Sequence, residues 1–124
     1  MNAPAWAGFV VACSLGAVTR YLVDGWVQGR VAQSFPWGIW VVNVSGSFLL
    51  GILTGLTQHS HLGGVSLTIA GSGFCGAYTT FSTLALQTVD LAQDGRPSQA
   101  ALNAFGSLVA GMAAAAGGLW LGSL

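Results

Sequence analysis

The chain has 124 residues, of which 53% are hydrophobic and only 5% are charged, and its formal net charge is zero. Ordinary soluble domains carry about 25% charged residues, so this composition indicates a membrane protein. The charged side chains are three arginines and three aspartates, which excludes the basic surface that nucleic-acid binding requires.

Three long stretches without charged residues predict four membrane spans, because a helix of about 20 apolar residues crosses a bilayer and the middle stretch is too long for one span. A polar turn at residues 58–61 divides the long middle stretch. We place the spans at about residues 5–26, 36–57, 62–93 and 98–124. The predicted fold class is an all-α membrane protein with four transmembrane helices, in one domain that covers the whole chain, 1–124.

Arg20, in the first predicted span, continues a face of small residues with a step of four. A guanidinium near the membrane boundary needs water or a partner, because burying an unpaired charge in lipid is costly. The side chain therefore either extends to the interface or forms part of a positive vestibule that attracts an anion. The interfacial position and the vestibule role are compatible with each other, and both remain open for Arg20.

Small residues recur every four positions on three predicted helices, and this pattern lets helix backbones approach closely in lipid. Packing inside one bundle explains such faces, and so does contact between subunits. Because four spans are few for enclosing a pathway, we favour a dimer. The faces are Gly8, Ala12 and Gly16, then Ser47, Gly51 and Gly55, and finally Ala110, Ala114, Gly118 and Gly122.

Asn43 lies well inside the second predicted span, with Ser47 one turn further along the same face. An unpaired amide in an apolar interior costs a few kcal/mol. The side chain is therefore expected either to form a hydrogen bond between helices or to donate to a solute that passes through.

The segment GFCGAYTTFST, residues 73–83, interrupts the third predicted span with glycines and hydroxyl side chains. Glycine and β-branched residues weaken a helix, so we predict a break near the middle of this span. Irregular backbone is tolerated at membrane depth only when protein or a water-filled cavity surrounds it. Such a break frees carbonyl and amide groups for an ion. Phe81 could present its positive ring edge to an anion, although a lone phenylalanine in a membrane usually packs.

The arginines lie toward one side of the predicted bundle: Arg30 and Arg96 are in its loops, and Arg20 is near the same helix ends. Cytoplasmic loops carry an excess of Lys and Arg, so we expect this side in the cytoplasm and both termini outside. The aspartates at the same helix ends are candidate partners of the arginines. They are Asp24, Asp90 and Asp94.

Three motifs in order resemble the Fluc (CrcB-type) fluoride channels: GAVTRY at residues 16–21, WGIWVVNVSGSF at 37–48 and GFCGAYTTFST at 73–83. The resemblance covers three of the four predicted spans. It implies a passive fluoride channel in a bacterial-type plasma (inner) membrane, which exports fluoride and lowers its cytoplasmic concentration. It also implies an antiparallel, dual-topology dimer with pores at the subunit interface and a structural sodium ion at its centre.

The resemblance also implies roles for individual residues. The backbone carbonyls of Gly76 and Thr79 would bind sodium, which suits a hard cation. Arg20 would belong to a vestibule. The implied fluoride pore residues are Asn43 as a donor and Phe81 as the aromatic contact, with the hydroxyls of Thr80, Ser82, Thr83 and Ser107 as further candidates for pore lining or for holding the break.

The chain departs from the family pattern after the break, where Leu84 replaces a usual second phenylalanine and Gln87 replaces a glutamate. Two explanations follow: a homodimer with an altered pore, or one subunit of a heterodimer in which a paralogous chain supplies the missing groups. The chain also has Ala77 where the family usually has glycine and Ile39 where it usually has threonine. On the fourth predicted span, Ser107 resembles the first of a row of polar residues, and the later positions of that row are small and apolar here, near Gly111 and Ala115.

Two other classes of function remain as alternatives. A small multidrug-type transporter coupled to protons would need a carboxylate inside the membrane, and the chain has no glutamate and places its aspartates at span ends. A membrane assembly subunit that does not conduct ions is compatible with the small-residue faces. No feature of the chain requires a nucleophile or an acid-base pair, so an enzyme is not expected.

Overall fold

The computed structural model describes residues 1–31, 34–59 and 61–124. Within these ranges all regular structure is helical. Helices α1 (Ala3–Gln28) and α2 (Trp37–Gln58) correspond to the first two predicted spans, and Pro97–Gly122, the last helix, corresponds to the fourth. Each of these three helices is long and apolar enough to cross a membrane.

The third predicted span is divided into several helical segments. Helix α3 (Gly64–Leu67) leads into a π-helical segment (Thr68–Cys75) and then α4 (Gly76–Tyr78). Thr79 and Thr80 have extended backbone angles, with ψ of 157° and 122°, and α5 (Phe81–Gln93) follows them. The predicted break in this span is confirmed, and we refer to Thr79 and Thr80 as the break. The π-helical segment was not predicted from the sequence.

The helix ends follow local capping chemistry. The Asn2 side chain accepts a hydrogen bond from Ala5 N–H at 3.0 Å and caps α1. Gly95 has a φ of +75°, which an L side chain rarely adopts, and it reverses the chain between α5 and the last helix, α6 (Pro97–Gly122). Pro97 then begins α6 at a position where its missing N–H costs nothing.

The small-residue faces of α2 and α6 pack against each other within one chain. A methyl group on Gly51 would overlap the carbonyl oxygen of Ala115, and one on Gly118 would overlap the carbonyl oxygen of Phe48. Gly55 and Gly122 make the same kind of backbone contact one turn further along. These glycines let the two backbones touch, which favours dispersion contacts between helices in lipid.

The small-residue face of α1 packs against the π-helical segment. A methyl group on Gly16 would overlap the carbonyl oxygen of Phe74, and one on Gly73 would lie 3.3 Å from the Ala12 side chain. The contacts described above lie inside one bundle, which is the internal packing that the four-residue spacing allows.

Polar side chains form hydrogen bonds to the connections at the end of the bundle that holds Arg30 and Arg96, which we call the arginine-rich end. Gln28 donates to the carbonyl of Phe35 at 2.9 Å and accepts from the N–H of Gly38 at 3.0 Å. Arg96 donates to the carbonyl of Ser34 and to Gln99. Arg30 lies 4.5 Å above the ring of Trp26. Arg96 and Arg30 therefore engage neutral groups, which differs from the predicted pairing with aspartates.

Candidate functional site

Asn43 of α2 holds the break through a two-point hydrogen bond. Its Nδ2 donates to the carbonyl oxygen of Thr80 at 3.0 Å, and the Thr80 N–H donates to its Oδ1 at 2.8 Å. A carboxamide both donates and accepts, so it can satisfy both backbone groups of one residue. The expected hydrogen bond between helices is confirmed, and its partner is the backbone of the break.

This arrangement releases two carbonyl oxygens from helical pairing. In a continuous α-helix the Thr80 N–H would bond the Gly76 carbonyl, and the Thr83 N–H would bond the Thr79 carbonyl. The Thr80 N–H bonds Asn43 instead, and the Thr83 N–H bonds Thr80 Oγ1 at 3.3 Å. Carbonyl oxygens are the ligands that hard cations such as sodium prefer. The residues implied as sodium ligands therefore fit that ion.

The hydroxyl groups after the break form the N-terminal cap of α5. Thr80 Oγ1 accepts from Thr83 N–H, lies 3.2 Å from Thr83 Oγ1 and lies 3.3 Å from Ser82 Oγ. An N-cap threonine satisfies one of the free N–H groups at a helix start. Ser82 and Thr83 are outside the residues that line the cavity described next. Their observed contacts hold the break.

A groove of about 820 Å³ opens beside the break, between α2, α5 and α6, and we call it the break groove. Most of its wall is apolar, and Phe81 stands at its edge with 82% of its surface exposed. Leu84, the residue at the departure from the family pattern, also lines it. The groove brings together most of the predicted site residues: Asn43, Gly76, Thr79, Thr80, Phe81 and Ser107.

The contact between α5 and α6 beside this groove contains buried polar side chains, and we call Thr88, Asn103 and Ser107 the α5–α6 seam. Asn103 is 0% exposed and Ser107 is 7% exposed. Thr88 Oγ1 donates to the carbonyl of Leu84 at 2.8 Å, so it can accept from Asn103 Nδ2 at 3.0 Å. Asn103 Oδ1 and Ser107 Oγ have no hydrogen-bond partner among the described residues.

A second cavity of about 300 Å³ lies at the arginine-rich end, and we call it the mouth pocket. All three aspartates line it, together with Gln87 and Arg96. Gln87 Oε1 is buried without a hydrogen-bond partner in the described part of the chain. Arg20 lies on α1 outside the lining of both cavities, so its vestibule role stays a prediction.

Two buried residues, one beside the break and one in the α5–α6 seam, were not predicted from the sequence. Tyr78 is buried, and its hydroxyl lies 2.9 Å from Ser45 Oγ, which adds a second side-chain contact between α2 and the residues before the break. Asn103 lies one turn before Ser107 on the same face of α6, and a polar residue at that spacing was the available signal.

Known proteins resemble this chain over most of its length. The family model described as "CrcB-like protein, Camphor Resistance (CrcB)" matches residues 7–119. A fluoride-specific ion channel FluC 2 from Mycobacterium tuberculosis is 42% identical over 119 residues, covering 96% of this chain and 91% of the relative. FluC 1 from Leifsonia xyli is 43% identical, covering 92% and 83%. FluC from Thermus thermophilus is 40% identical, covering 88% and 86%.

Proposed function

Because this chain belongs to the CrcB-like protein family, we propose that it is a fluoride-selective channel of a bacterial-type plasma membrane, through which fluoride moves passively. A multi-pass membrane protein is in keeping with three apolar helices that are long enough to cross a bilayer. The relatives are named as ion channels, so a channel is favoured over an enzyme.

The observation that carries the proposal is the break groove. It places Asn43, Thr80, Phe81 and Ser107 along one surface next to two carbonyls released from helical pairing. Fluoride is small and strongly hydrated, so leaving water requires replacement hydrogen-bond donors along its route. The Ser107 hydroxyl and the second N–H of Asn43 supply donors, and the edge of the Phe81 ring carries positive partial charge.

Two features of the groove support a dimer. Its wall is mostly apolar, and Phe81 at its edge is largely exposed. A second subunit that covers this side would exclude lipid from the donors and enclose a pathway, which four helices alone do not do. We propose an antiparallel arrangement in which each subunit contributes the Gly76 and Thr79 carbonyls to one structural sodium ion. The sodium ion is held in place and is not transported.

The proposed physiological role is fluoride export. Fluoride crosses membranes as neutral HF and is trapped as the anion at cytoplasmic pH, so a passive channel lets the anion leave along its electrochemical gradient. No coupling to protons is required. The carboxylates of this chain line the mouth pocket, and in the described residues none lines the break groove, which disfavours a multidrug transporter coupled to protons.

The subunit composition is the second part of the proposal. Leu84 lines the groove where relatives usually carry a second aromatic residue, so a homodimer would have an altered pore. A heterodimer is the second candidate, and the observation in its favour is the placement of the arginines toward one side, because a dual-topology homodimer should have little charge bias. Efflux by the chain alone would exclude an obligate paralogous partner.

Reconstitution into liposomes tests the function. Purified chain in vesicles loaded with fluoride, without a proton gradient, should release fluoride to an external fluoride-selective electrode, while matched vesicles loaded with chloride retain their anion. Efflux only after adding a co-purified paralogue would establish the heterodimer. Equal release of fluoride and chloride, or release that requires a proton gradient, would contradict the proposal.

A further inference from the structure

We propose that Asn43 is a positioning residue for the cation site: its carboxamide holds Thr80 out of the helix and so keeps the Gly76 carbonyl free for sodium. This inference rests on the structural sodium ion proposed above. It assigns Asn43 a function separate from donating to fluoride, and it couples the two ion sites through one side chain.

Two acceptors compete for the Thr80 N–H: the side chain of Asn43 and the backbone carbonyl of Gly76. The Thr80 N–H bonds Asn43 Oδ1 at 2.8 Å, and Thr80 has φ of −149° and ψ of 122°. Without an acceptor on α2, the nearest helical acceptor is the carbonyl of Gly76, four residues earlier. A hydrogen bond there would extend α4 through the break and would occupy the lone pairs that a cation needs.

Asn43 also bonds the carbonyl group of Thr80. Asn43 Nδ2 donates to the carbonyl oxygen of Thr80 at 3.0 Å. This bond satisfies the carbonyl of Thr80, while the carbonyl of Thr79 loses its helical donor to the Thr80 cap. Asn43 therefore pairs the carbonyl of Thr80 and, by holding the Thr80 N–H, keeps the carbonyl of Gly76 free. A side chain that only accepts, or only donates, could not do both.

Helix α2 holds the segment on both sides of Thr79. Tyr78 is fixed by the contact between its hydroxyl and Ser45 Oγ at 2.9 Å. A methyl group on Gly46 would overlap the methyl group of Thr79, so this glycine lets α2 approach the break directly. With Tyr78 and Thr80 both bonded to α2, the carbonyl positions depend on α2 and on Asn43 in particular.

The consequence is that the apparent affinity for sodium depends on Asn43. Replacing Asn43 with leucine keeps its approximate size and removes both hydrogen bonds, so the Thr80 N–H becomes available to the Gly76 carbonyl. Replacing it with glutamine keeps the carboxamide on a chain one methylene longer. Phe81 and Ser107 line the same groove without a side-chain hydrogen bond to the backbone of the break, so they serve as matched controls.

The test measures sodium binding by stability and does not depend on transport. Thermal unfolding of the purified wild-type protein in detergent is followed during titration with sodium chloride, with N-methylglucamine chloride keeping ionic strength constant. The Tm should rise and saturate, because a ligand that binds only the folded state stabilises it. For Asn43→Leu we expect the half-saturating sodium concentration to increase by at least about tenfold, given two lost hydrogen bonds.

Asn43→Ser also removes the two-point bond and should shift the half-saturating concentration in the same direction, which keeps the test decisive if the leucine variant does not fold. Asn43→Gln should fall between these variants and the wild type. Phe81→Ile and Ser107→Ala should stay within about twofold of the wild type, while their fluoride efflux falls.

The inference is overturned if Asn43→Leu and Asn43→Ser bind sodium with the wild-type midpoint, because Asn43 would then act only as a pore donor. It is also overturned if the wild-type Tm does not respond to sodium. Fluoride efflux from wild-type liposomes separates the two proposals: efflux with a wild-type sodium midpoint in the Asn43 variants leaves the channel assignment standing and removes only the positioning function.

Discussion

The break and the α5–α6 seam are neighbouring polar regions of one groove, and they differ in how their hydrogen bonds are satisfied. At the break, both backbone groups of Thr80 are paired with Asn43, and the free N–H of Thr83 is capped. In the seam, Asn103 Oδ1 and Ser107 Oγ are buried and lack a partner among the described residues. At the break, the groups of Thr80 that hold the backbone are paired and only the carbonyls of Gly76 and Thr79 stay free, whereas the seam leaves buried side-chain atoms without a partner among the described residues.

This difference has energetic and functional consequences. Removing one partner of a satisfied buried pair leaves the other unpaired and costs about 1–3 kcal/mol, while removing a group that was already unpaired costs little or stabilises. Substitutions at the break should therefore act on stability, and substitutions in the seam should act mainly on what passes through the groove. Substitutions in both regions test this contrast.

The largest effect on stability is expected from Asn43→Leu. The substitution leaves both the N–H and the carbonyl of Thr80 without their partner, so the free energy of unfolding should fall by about 2–4 kcal/mol. Reversible denaturation of the reconstituted or detergent-solubilised protein measures this change. A loss below about 0.5 kcal/mol would mean that water or another group satisfies Thr80 and that the break does not depend on Asn43.

Thr80→Val should give the next largest effect. It removes the hydroxyl that caps α5 and keeps the shape of the side chain, so the free energy of unfolding should fall by about 1 kcal/mol. The same denaturation experiment applies, with Thr83→Val as the control because the cap uses the backbone N–H of Thr83. Equal losses in the two variants would contradict the assignment of Thr80 as the cap.

Asn103→Leu should change stability less than either substitution at the break. It removes the hydrogen bond to Thr88 and also removes a buried oxygen that has no partner in the described part of the chain, and these terms oppose each other. We expect a free energy of unfolding within about 1 kcal/mol of the wild type. A loss comparable to that of Asn43→Leu would show that the seam side chains are paired, as the backbone groups of Thr80 are at the break.

Ser107→Ala should give the smallest change in stability, within about 0.5 kcal/mol, because its hydroxyl has no partner among the described residues. Fluoride efflux should fall by about tenfold, since a donor to an anion is lost. Measuring both quantities on one preparation sharpens the contrast between the regions. Unchanged efflux with reduced stability would reverse the roles assigned to them.

The break itself was predictable, because the glycines and threonines of residues 73–83 weaken a helix in an otherwise apolar span. The π-helical segment Thr68–Cys75 was not, since its glycine-rich sequence is compatible with several helical forms. The buried amide of Asn43 was predictable as a hydrogen-bonding group. Its partner lies 37 residues further along the chain, and only the packing of α2 against the break identifies it.

The small-residue faces show a different limit. Their four-residue spacing predicted close helix packing, and the contacts of Gly16, Gly51 and Gly118 confirm it. The spacing carries no information about whether the facing backbone belongs to the same chain, so the sequence left contact inside one bundle and contact between subunits as alternatives, and these contacts lie inside one bundle. Ser82 and Thr83 were similarly ambiguous, because a hydroxyl after a break suits both a cap and a pore lining.

The most direct test of the central claim is fluoride efflux through the wild-type chain compared with Phe81→Ile. Phe81 is exposed at the groove and makes no contact needed to hold the break, so its loss should remove conduction and leave the fold intact. We expect rapid, fluoride-selective efflux from wild-type proteoliposomes and efflux at the level of protein-free vesicles for the variant. Equal efflux from the two proteins would contradict the assignment of the break groove as the fluoride pathway.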